Sequence, residues 1–242
     1  MPAEEDQRNI SSKQEHTHEV CLNAVRIAKD LRLDDRVMLL AETAALLHDV
    51  GRFSQYQQYR TFVDSSSVNH AARGAKVLIE HQVLKDLAKR DQQIILRAVT
   101  LHNVFILPEG LDGDTQLVVR IVRDADKLDI LRVVMDYLAT EAGNRAEAIA
   151  LGLPDVPGYS DEVLGALRRG EMAKKSSLST LNDFKLLQLA WMYDLNFASS
   201  LRIVVERGYI DRIAATLPHT PEIAAAVDIV RNYVQDKLKT AD

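Results

Sequence analysis

The stretch AALLHDVGRF, residues Ala44–Phe53, places two polar side chains at the end of an apolar helical segment. Ala44–Leu47 is typical of a buried helix, yet His48 and Asp49 follow it directly, just before Gly51. An ionised carboxylate in an apolar interior is costly unless a partner compensates its charge. The pair therefore indicates a site where an imidazole and a carboxylate interact with the same partner.

The segments on either side of this stretch show a helical pattern throughout. Apolar residues recur three and four positions apart, and no run of strict alternation indicates a strand. We predict an all-α fold, with helices over roughly residues 15–32, 35–50, 67–82, 89–103, 115–139, 160–169, 180–206 and 221–238. Gly51 is expected to end the second helix, Ser65–Ser67 to cap the third, and Thr220–Glu222 to begin the last.

Composition limits the classes of protein to which this chain is expected to belong. The 242 residues are 47% hydrophobic, which is enough for a substantial core, and the net charge of -5 gives no strong nucleic-acid signal. Cys21 is the only cysteine, so no intramolecular disulfide is expected. The polar start MPAEEDQRN does not look like a signal peptide, and no apolar run approaches the ~20 residues that span a bilayer. We expect a cytoplasmic protein without a membrane partner.

Several polar residues fall on core-facing stripes of successive predicted helices. They are four histidines and two aspartates: His16, His48, His70, His102, Asp49 and Asp126. A single such histidine is usually a hydrogen-bonded core residue, but one metal site accounts for all six at once. The remaining histidines, His18, His81 and His219, do not fit this pattern. Imidazole and carboxylate ligands suit Mn, Fe, Co, Ni, Zn or Mg, so we predict one or two divalent metals of unassigned identity.

Five motifs carry a resemblance to a known family. They are HTHEVCLNAVRIA (16–28), AALLHDVGR (44–52), VNHAARGAKVL (68–78), AVTLHN (98–103) and IVRDADKLDIL (121–131). Over about residues 15–135 the chain resembles the HD-domain superfamily of metal-dependent phosphohydrolases. The resemblance implies an orthogonal helical bundle of the HD-domain type with extra C-terminal helices. It divides the chain into a polar N-terminal lead (1–14), an HD metal-binding core (15–140) and a C-terminal helical extension packed on the same domain (141–242).

The resemblance also implies roles for the six residues. The family's four basic ligands fall on His16, His48, Asp49 and Asp126. In two-metal members two further histidines bind the second ion and the aspartate of the His-Asp pair bridges; His70 and His102 match those positions, with substrate contact as their alternative role. The chain lacks the GYP motif of members that degrade cyclic di-nucleotides, which places it in the non-GYP branch.

The implied activity is hydrolysis of a small phosphorylated substrate, a nucleotide or related phosphate ester. The attacking group would be a hydroxide bound to a metal that Asp49 and the other ligands hold. Arg52 is the first candidate for phosphate contact and Lys127 the second. Substrate selection is expected in the loops 52–66, 103–115 and 150–179. Two alternatives stay open: a di-iron HD-type oxygenase, and a non-catalytic metal- or nucleotide-binding regulatory module. The sequence leaves a homo-oligomer open.

Overall fold

The computed structural model describes residues 4–140 and 152–241, and within them the regular secondary structure is helical, without a strand. The α-helices are α1 to α11: Glu4–Asp30, Asp35–Leu47, Val50–Tyr59, His70–Glu80, Lys89–Leu101, Gly113–Ala139, Asp161–Arg168, Leu181–Ala190, Ala198–Glu206, Tyr209–Ala214 and Pro221–Lys239. Short 3-10 turns lie at Asp64–Ser66, Lys175–Ser177 and Trp191–Tyr193. The all-α prediction is confirmed.

The chain divides into two compact units, Met1–Asp129 and Ile130–Asp242, and the division falls within α6. The predicted boundary between residues 140 and 141 lies at the edge of the segment 141–151, which is outside the described residues. Along the part of the chain that the structure describes, no helix combines the length and apolarity needed to cross a bilayer.

The first unit is built from packed helix pairs. Helix α1 packs on α2, α3 packs on α4, and α5 contacts both α2 and α4. Helix α6 joins this group through side chains that donate to main-chain carbonyls: Asn23 of α1 reaches Ala125, and Arg123 of α6 reaches the end of α5 at Leu101 and His102. The apolar faces of these helices form a core that is almost fully excluded from solvent.

A close contact between two glycines fixes the α3–α4 pair. A Cβ added at Gly74 would lie 3.2 Å from the amide nitrogen of Gly51, and one added at Gly51 would lie 2.5 Å from the amide nitrogen of Gly74. Only residues without side chains allow two helix backbones to approach this closely. The contact brings the start of α4 against the segment that follows Asp49.

Two predicted helix signals in this unit were wrong. Helix α2 ends at Leu47 with His48 as its C-cap, and Gly51 lies in the first turn of α3 instead of ending α2. The cap of α4 is Asn69, whose side chain accepts a hydrogen bond from the amide of Ala72. The serines 65–67 instead form a 3-10 turn and its C-cap, because an asparagine closer to the helix satisfies the free amide first.

The second unit is organised around α8, which is buried along its whole length. Helices α7, α10 and α11 contact it. Thr180 and Asp183 form a capping box at its start, and Thr220 with Pro221 begins α11 as predicted. The predicted single helix over 180–206 is broken between α8 and α9. Asp194 and Asn196 lie at the break, where the Asn196 side chain donates to the Asp194 carbonyl in competition with helical bonding.

Candidate metal centre

The six residues singled out by sequence lie within helices α1–α6 or directly at their ends. His16 lies in α1 and Asp126 in α6, while His70 is the first residue of α4. His48 and Asp49 lie between α2 and α3, and His102 directly follows α5. Five of the six are buried and Asp126 is half-buried. The structure brings all of them together, whereas His18, His81 and His219 are exposed.

The first group consists of His16, His48 and Asp126 with one oxygen of Asp49. The Nε2 atoms of His16 and His48 lie 3.2 Å and 3.8 Å from Asp126 Oδ1. The same two nitrogens lie 3.8 Å and 3.9 Å from Asp49 Oδ2 and 3.3 Å from each other. Both imidazole nitrogens therefore lie within 4 Å of an oxygen of Asp126 and of an oxygen of Asp49.

The second group consists of His70 and His102 with the other oxygen of Asp49. Their Nε2 atoms lie 3.3 Å and 3.9 Å from Asp49 Oδ1, and 3.0 Å from each other. Asp49 thus turns Oδ2 toward the first group and Oδ1 toward the second. This is the arrangement in which one carboxylate serves two neighbouring binding positions.

Every imidazole of the cluster has its outer nitrogen, Nδ1, engaged. His48 Nδ1 lies 2.6 Å from the carbonyl of Ala45, and His102 Nδ1 lies 2.8 Å from the carbonyl of Val99. Because a carbonyl oxygen only accepts, both Nδ1 atoms must donate, and a neutral ring then presents the lone pair of Nε2 to the centre. Each histidine stands one residue past its helix, where the i−3 carbonyl is free.

Carboxylates brace the other two imidazoles. His16 Nδ1 lies 2.6 Å from Asp129 Oδ2, and His70 Nδ1 lies 2.7 Å from Asp64 Oδ2. Such outer carboxylates fix ring orientation and increase the basicity of the inner nitrogen in metal sites. Sequence reasoning missed Asp129, although Asp129 follows Asp126 by three positions on the same helix, within the motif RDADKLD.

The protonation states of two histidines and two aspartates suit metal binding, whereas that of His16 differs. Burial lowers the pKa of His48, and burial with the nearby His48 lowers the pKa of His102 to about 3. Burial also opposes ionisation of Asp49 and Asp126, but cationic and hydrogen-bonding neighbours outweigh it and hold both pKa values below their ordinary range. For His16 the carboxylates Asp126 and Asp129 outweigh burial and raise the pKa to about 9, so this ring must release a proton before its Nε2 binds a metal.

The donor set passes the test for a divalent metal. Three overlapping groups offer ligand atoms within 4.8 Å of one another: His16, His48 and Asp49; His48, His102 and Asp126; and Asp49, His70 and His102. Ionised carboxylates and inward-facing imidazole lone pairs, buried side by side, are the chemistry that binds divalent cations. The cluster could therefore hold a metal, and its ligand types do not select which one.

Comparison with known proteins places this unit in a family. The family model described as HD domain matches residues 14–131. The chain belongs to the HD-domain superfamily through these residues. It is also 36% identical over 97 residues to the Bacillus subtilis (strain 168) protein named "Putative phosphohydrolase YueE", an alignment that covers 37% of this chain and 52% of the relative. The chain thus spans about half the length of this relative. No solved structure matches significantly.

Arg52 of the HD domain lies beside the cluster but has several partners of its own. Its Nε lies 3.4 Å from Asp49 Oδ1. Its Nη1 donates to the Gln55 side chain at 3.1 Å, to Asp64 at 2.9 Å and to the carbonyl of Phe62. Arg52 therefore ties the segment that carries Asp64 to the metal cluster. Contact with a substrate phosphate stays a prediction.

Two lysines also lie next to the ligands of the HD domain. Lys127, adjacent to Asp126, is half-buried on α6, and its contact with a substrate stays a prediction. Lys13, which sequence reasoning missed, lies one helical turn before His16, and its Nζ lies 3.1 Å from Asp49 Oδ2. The three-residue spacing on α1 was the available signal, because residues three apart share a helix face.

Proposed function

We propose that this protein is a metal-dependent phosphohydrolase that acts on a small phosphorylated substrate, a nucleotide or related phosphate ester. The observation that carries the proposal is the cluster of four imidazoles and two carboxylates in which Asp49 joins two groups of ligands. Membership of the HD-domain superfamily supports it. So does the resemblance to the B. subtilis protein, whose name describes a phosphohydrolase.

Different residues of the chain would have different roles in such a reaction. His16, His48, Asp49 and Asp126 would hold one divalent ion, and His70 with His102 would hold a second that shares Asp49. A bound divalent ion supplies a Lewis acid that polarises a phosphoryl oxygen and makes water acidic enough to attack near neutral pH. Asp129 and Asp64 keep His16 and His70 oriented through their Nδ1 atoms.

Positive side chains complement this donor set. Arg52 places a guanidinium 3.4 Å from Asp49, at the boundary of the second group. Phosphoryl transfer concentrates negative charge on the equatorial oxygens, and a cation fixed in place stabilises that charge without reorganisation. Arg52 and, next to Asp126, Lys127 are the residues we assign to this task.

A panel of phosphate esters tests the proposal. The full chain, loaded separately with Mn²⁺, Fe²⁺, Co²⁺ or Ni²⁺, is assayed for release of phosphate from nucleoside monophosphates and aryl phosphates. We expect metal-dependent turnover of at least one ester, which Asp49→Ala abolishes. The matched control is Asp86→Ala, at an exposed position, which should keep the wild-type rate. An Asp49→Ala rate equal to that of the wild type would contradict the proposal.

A di-iron oxygenase is the second candidate, and one observation favours it. Four histidines and two aspartates with one carboxylate between the two groups also form a site for two iron ions that react with oxygen. Anaerobic loading with Fe²⁺, followed by oxygen, would give a mixed-valent or oxygen-dependent iron species in optical and EPR spectra. Absence of such species, together with ester turnover, would exclude this candidate. Binding of metal and nucleotide without any turnover would indicate a regulatory module instead.

A further inference from the structure

Lys13 occupies an unusual position for a lysine. Its side chain is 23% exposed, yet its Nζ lies 3.1 Å from Oδ2 of Asp49, whose side chain is only 5% exposed. The same Nζ lies 5.5 Å from the centre of the Phe62 ring, which limits the directions from which solvent reaches it. Lys13 therefore stands between solvent and the first group of ligands.

Without a metal, the Lys13 ammonium compensates the buried carboxylate of Asp49, and a bound divalent cation would compensate the same charge. Once a divalent cation binds to Asp49, the ammonium and the cation compete for the same carboxylate oxygen, and their mutual repulsion weakens metal binding. A cation that opposes the metal is useful if a third, anionic group arrives and interacts with both.

The charges around Asp49 identify that third group. Lys13 approaches Oδ2 of Asp49, and Arg52 approaches Oδ1 at 3.4 Å. Arg52 Nη1 is already committed to Gln55, Asp64 and the Phe62 carbonyl. Among the residues that the structure describes, the polar partner of Lys13 Nζ is Asp49, one of the proposed metal ligands. An ammonium on a flexible stem can turn from such a carboxylate to an incoming oxyanion within a short distance.

We propose that Lys13 is a substrate-binding residue whose ammonium binds an anionic oxygen of the substrate's phosphoryl group, and that Asp49 holds it in place until the substrate arrives. This inference rests on the proposed function and adds to it a specific phosphate contact that the motifs of the HD domain do not include. When substrate is bound, the Lys13 ammonium would thus contact the substrate instead of Asp49. A charged hydrogen bond of this kind contributes about 1.5–3 kcal/mol, or roughly ten- to a hundredfold in affinity.

Phosphate binding tests the inference directly. Inorganic phosphate is titrated calorimetrically into the metal-loaded full chain, with bound metal counted in the same samples. We expect Lys13→Met to bind phosphate about tenfold or more weakly while keeping its full metal content. Lys13→Arg, which keeps the positive charge, should restore most of the affinity. Lys76→Met is the matched control, because Lys76 is 72% exposed and pairs with Glu80 on α4.

Several results would overturn the inference. Wild-type phosphate affinity in Lys13→Met is one such result. Loss of metal from that variant is another, because Lys13 would then be a support for Asp49. A metal-loaded wild type that binds no phosphate would overturn it as well. Ester turnover is measured separately, so failure of the proposed function is distinguishable. If the wild type hydrolyses esters and Lys13→Met keeps the same KM and phosphate affinity, the proposed function is supported and Lys13 has no part in substrate binding.

Discussion

In each of the two groups of the metal cluster an aspartate braces one histidine through its Nδ1, but the two aspartates lie in different parts of the fold. In the first group Asp129 braces His16, and its side chain is fully buried on the long helix α6. In the second group Asp64 braces His70, but its side chain is 31% exposed and belongs to a 3-10 turn between α3 and α4. One half of the site is therefore part of the helical core, while the other half depends on a connecting segment.

The groups also differ in charge. In the first group the Nε2 atoms approach Asp126 Oδ1 as well as Asp49 Oδ2, whereas in the second group the carboxylate oxygen within 4 Å of both Nε2 atoms is Asp49 Oδ1. Each carboxylate neutralises part of the charge of a bound cation, so the first group should bind a divalent ion more tightly. We therefore expect the two positions to fill in sequence, the first group before the second.

The change with the largest expected effect removes what the two groups share. Asp49→Ala should abolish metal binding in both groups and reduce turnover to the uncatalysed background, because each group loses its connecting carboxylate. Elemental analysis of the purified variant and an ester assay check this. A variant that keeps metal in either group would show that Asp49 is not the link between them.

Removing one imidazole from one group at a time should distinguish the two metal positions. His16→Ala should eliminate the tighter metal position and most activity, since the first group loses a central ligand. His102→Ala should leave about one ion per chain, held by the first group. Metal counts on the two variants, prepared in parallel, provide the measurement. Equal losses in both would mean that the cluster behaves as one indivisible site.

The glycine contact should affect the second group through the backbone. Gly51→Ala places a Cβ 2.5 Å from the amide nitrogen of Gly74 and closer still to the carbonyl oxygen of His70, so α3 and α4 must separate. We expect a loss of about 3 kcal/mol in the free energy of unfolding and weaker metal binding by the second group. Chemical denaturation measures the first and metal titration the second.

Gly113→Ala is the control for that experiment, because a Cβ there meets nothing within 4 Å. It should unfold at the wild-type denaturant concentration. If Gly51→Ala were as stable as this control, the close approach of α3 and α4 would not be needed to position His70.

The smallest effects concern the two braces. Asp129→Asn and Asp64→Asn keep the shape of the side chain but remove its charge, and each should lower metal affinity in its own group by about ten- to a hundredfold. The loss should be greater for Asp129, since water cannot replace a brace that is fully buried. Competition with a metal-binding dye compares the two. A greater loss for Asp64→Asn would reverse the proposed difference between the groups.

Much of the site was predictable because its residues are chemically out of place. His16, His48, His70, His102, Asp49 and Asp126 lie on apolar stripes, where a histidine or aspartate conflicts with the surrounding pattern. Helix periodicity alone therefore identified all six candidate ligands before any distances were known. What periodicity cannot give is their assignment to two groups around Asp49, which depends on how α1, α4, α5 and α6 meet.

Other features depend on tertiary contacts that the sequence does not display. Helix α3, with its polar sequence VGRFSQYQQY, was expected to be a loop, and it forms because Gly51 packs against Gly74 and Tyr56 stacks on Phe62. Helix α1 begins at Glu4, within the predicted polar lead, and so carries Lys13 to Asp49. The contacts of Gly51 with Gly74 and of Lys13 with Asp49 join residues far apart in sequence, and no local pattern encodes these two contacts.

Elemental analysis of the purified full chain tests the central claim most directly. Bound metal is counted per chain, before and after reloading with Mn²⁺, Fe²⁺ or Ni²⁺, beside the double variant His48→Ala/Asp49→Ala. We expect about two ions per chain after reloading, and none in the double variant. A wild type that binds no metal under any of these conditions would contradict it, because the His48–Asp49 pair would then be structural.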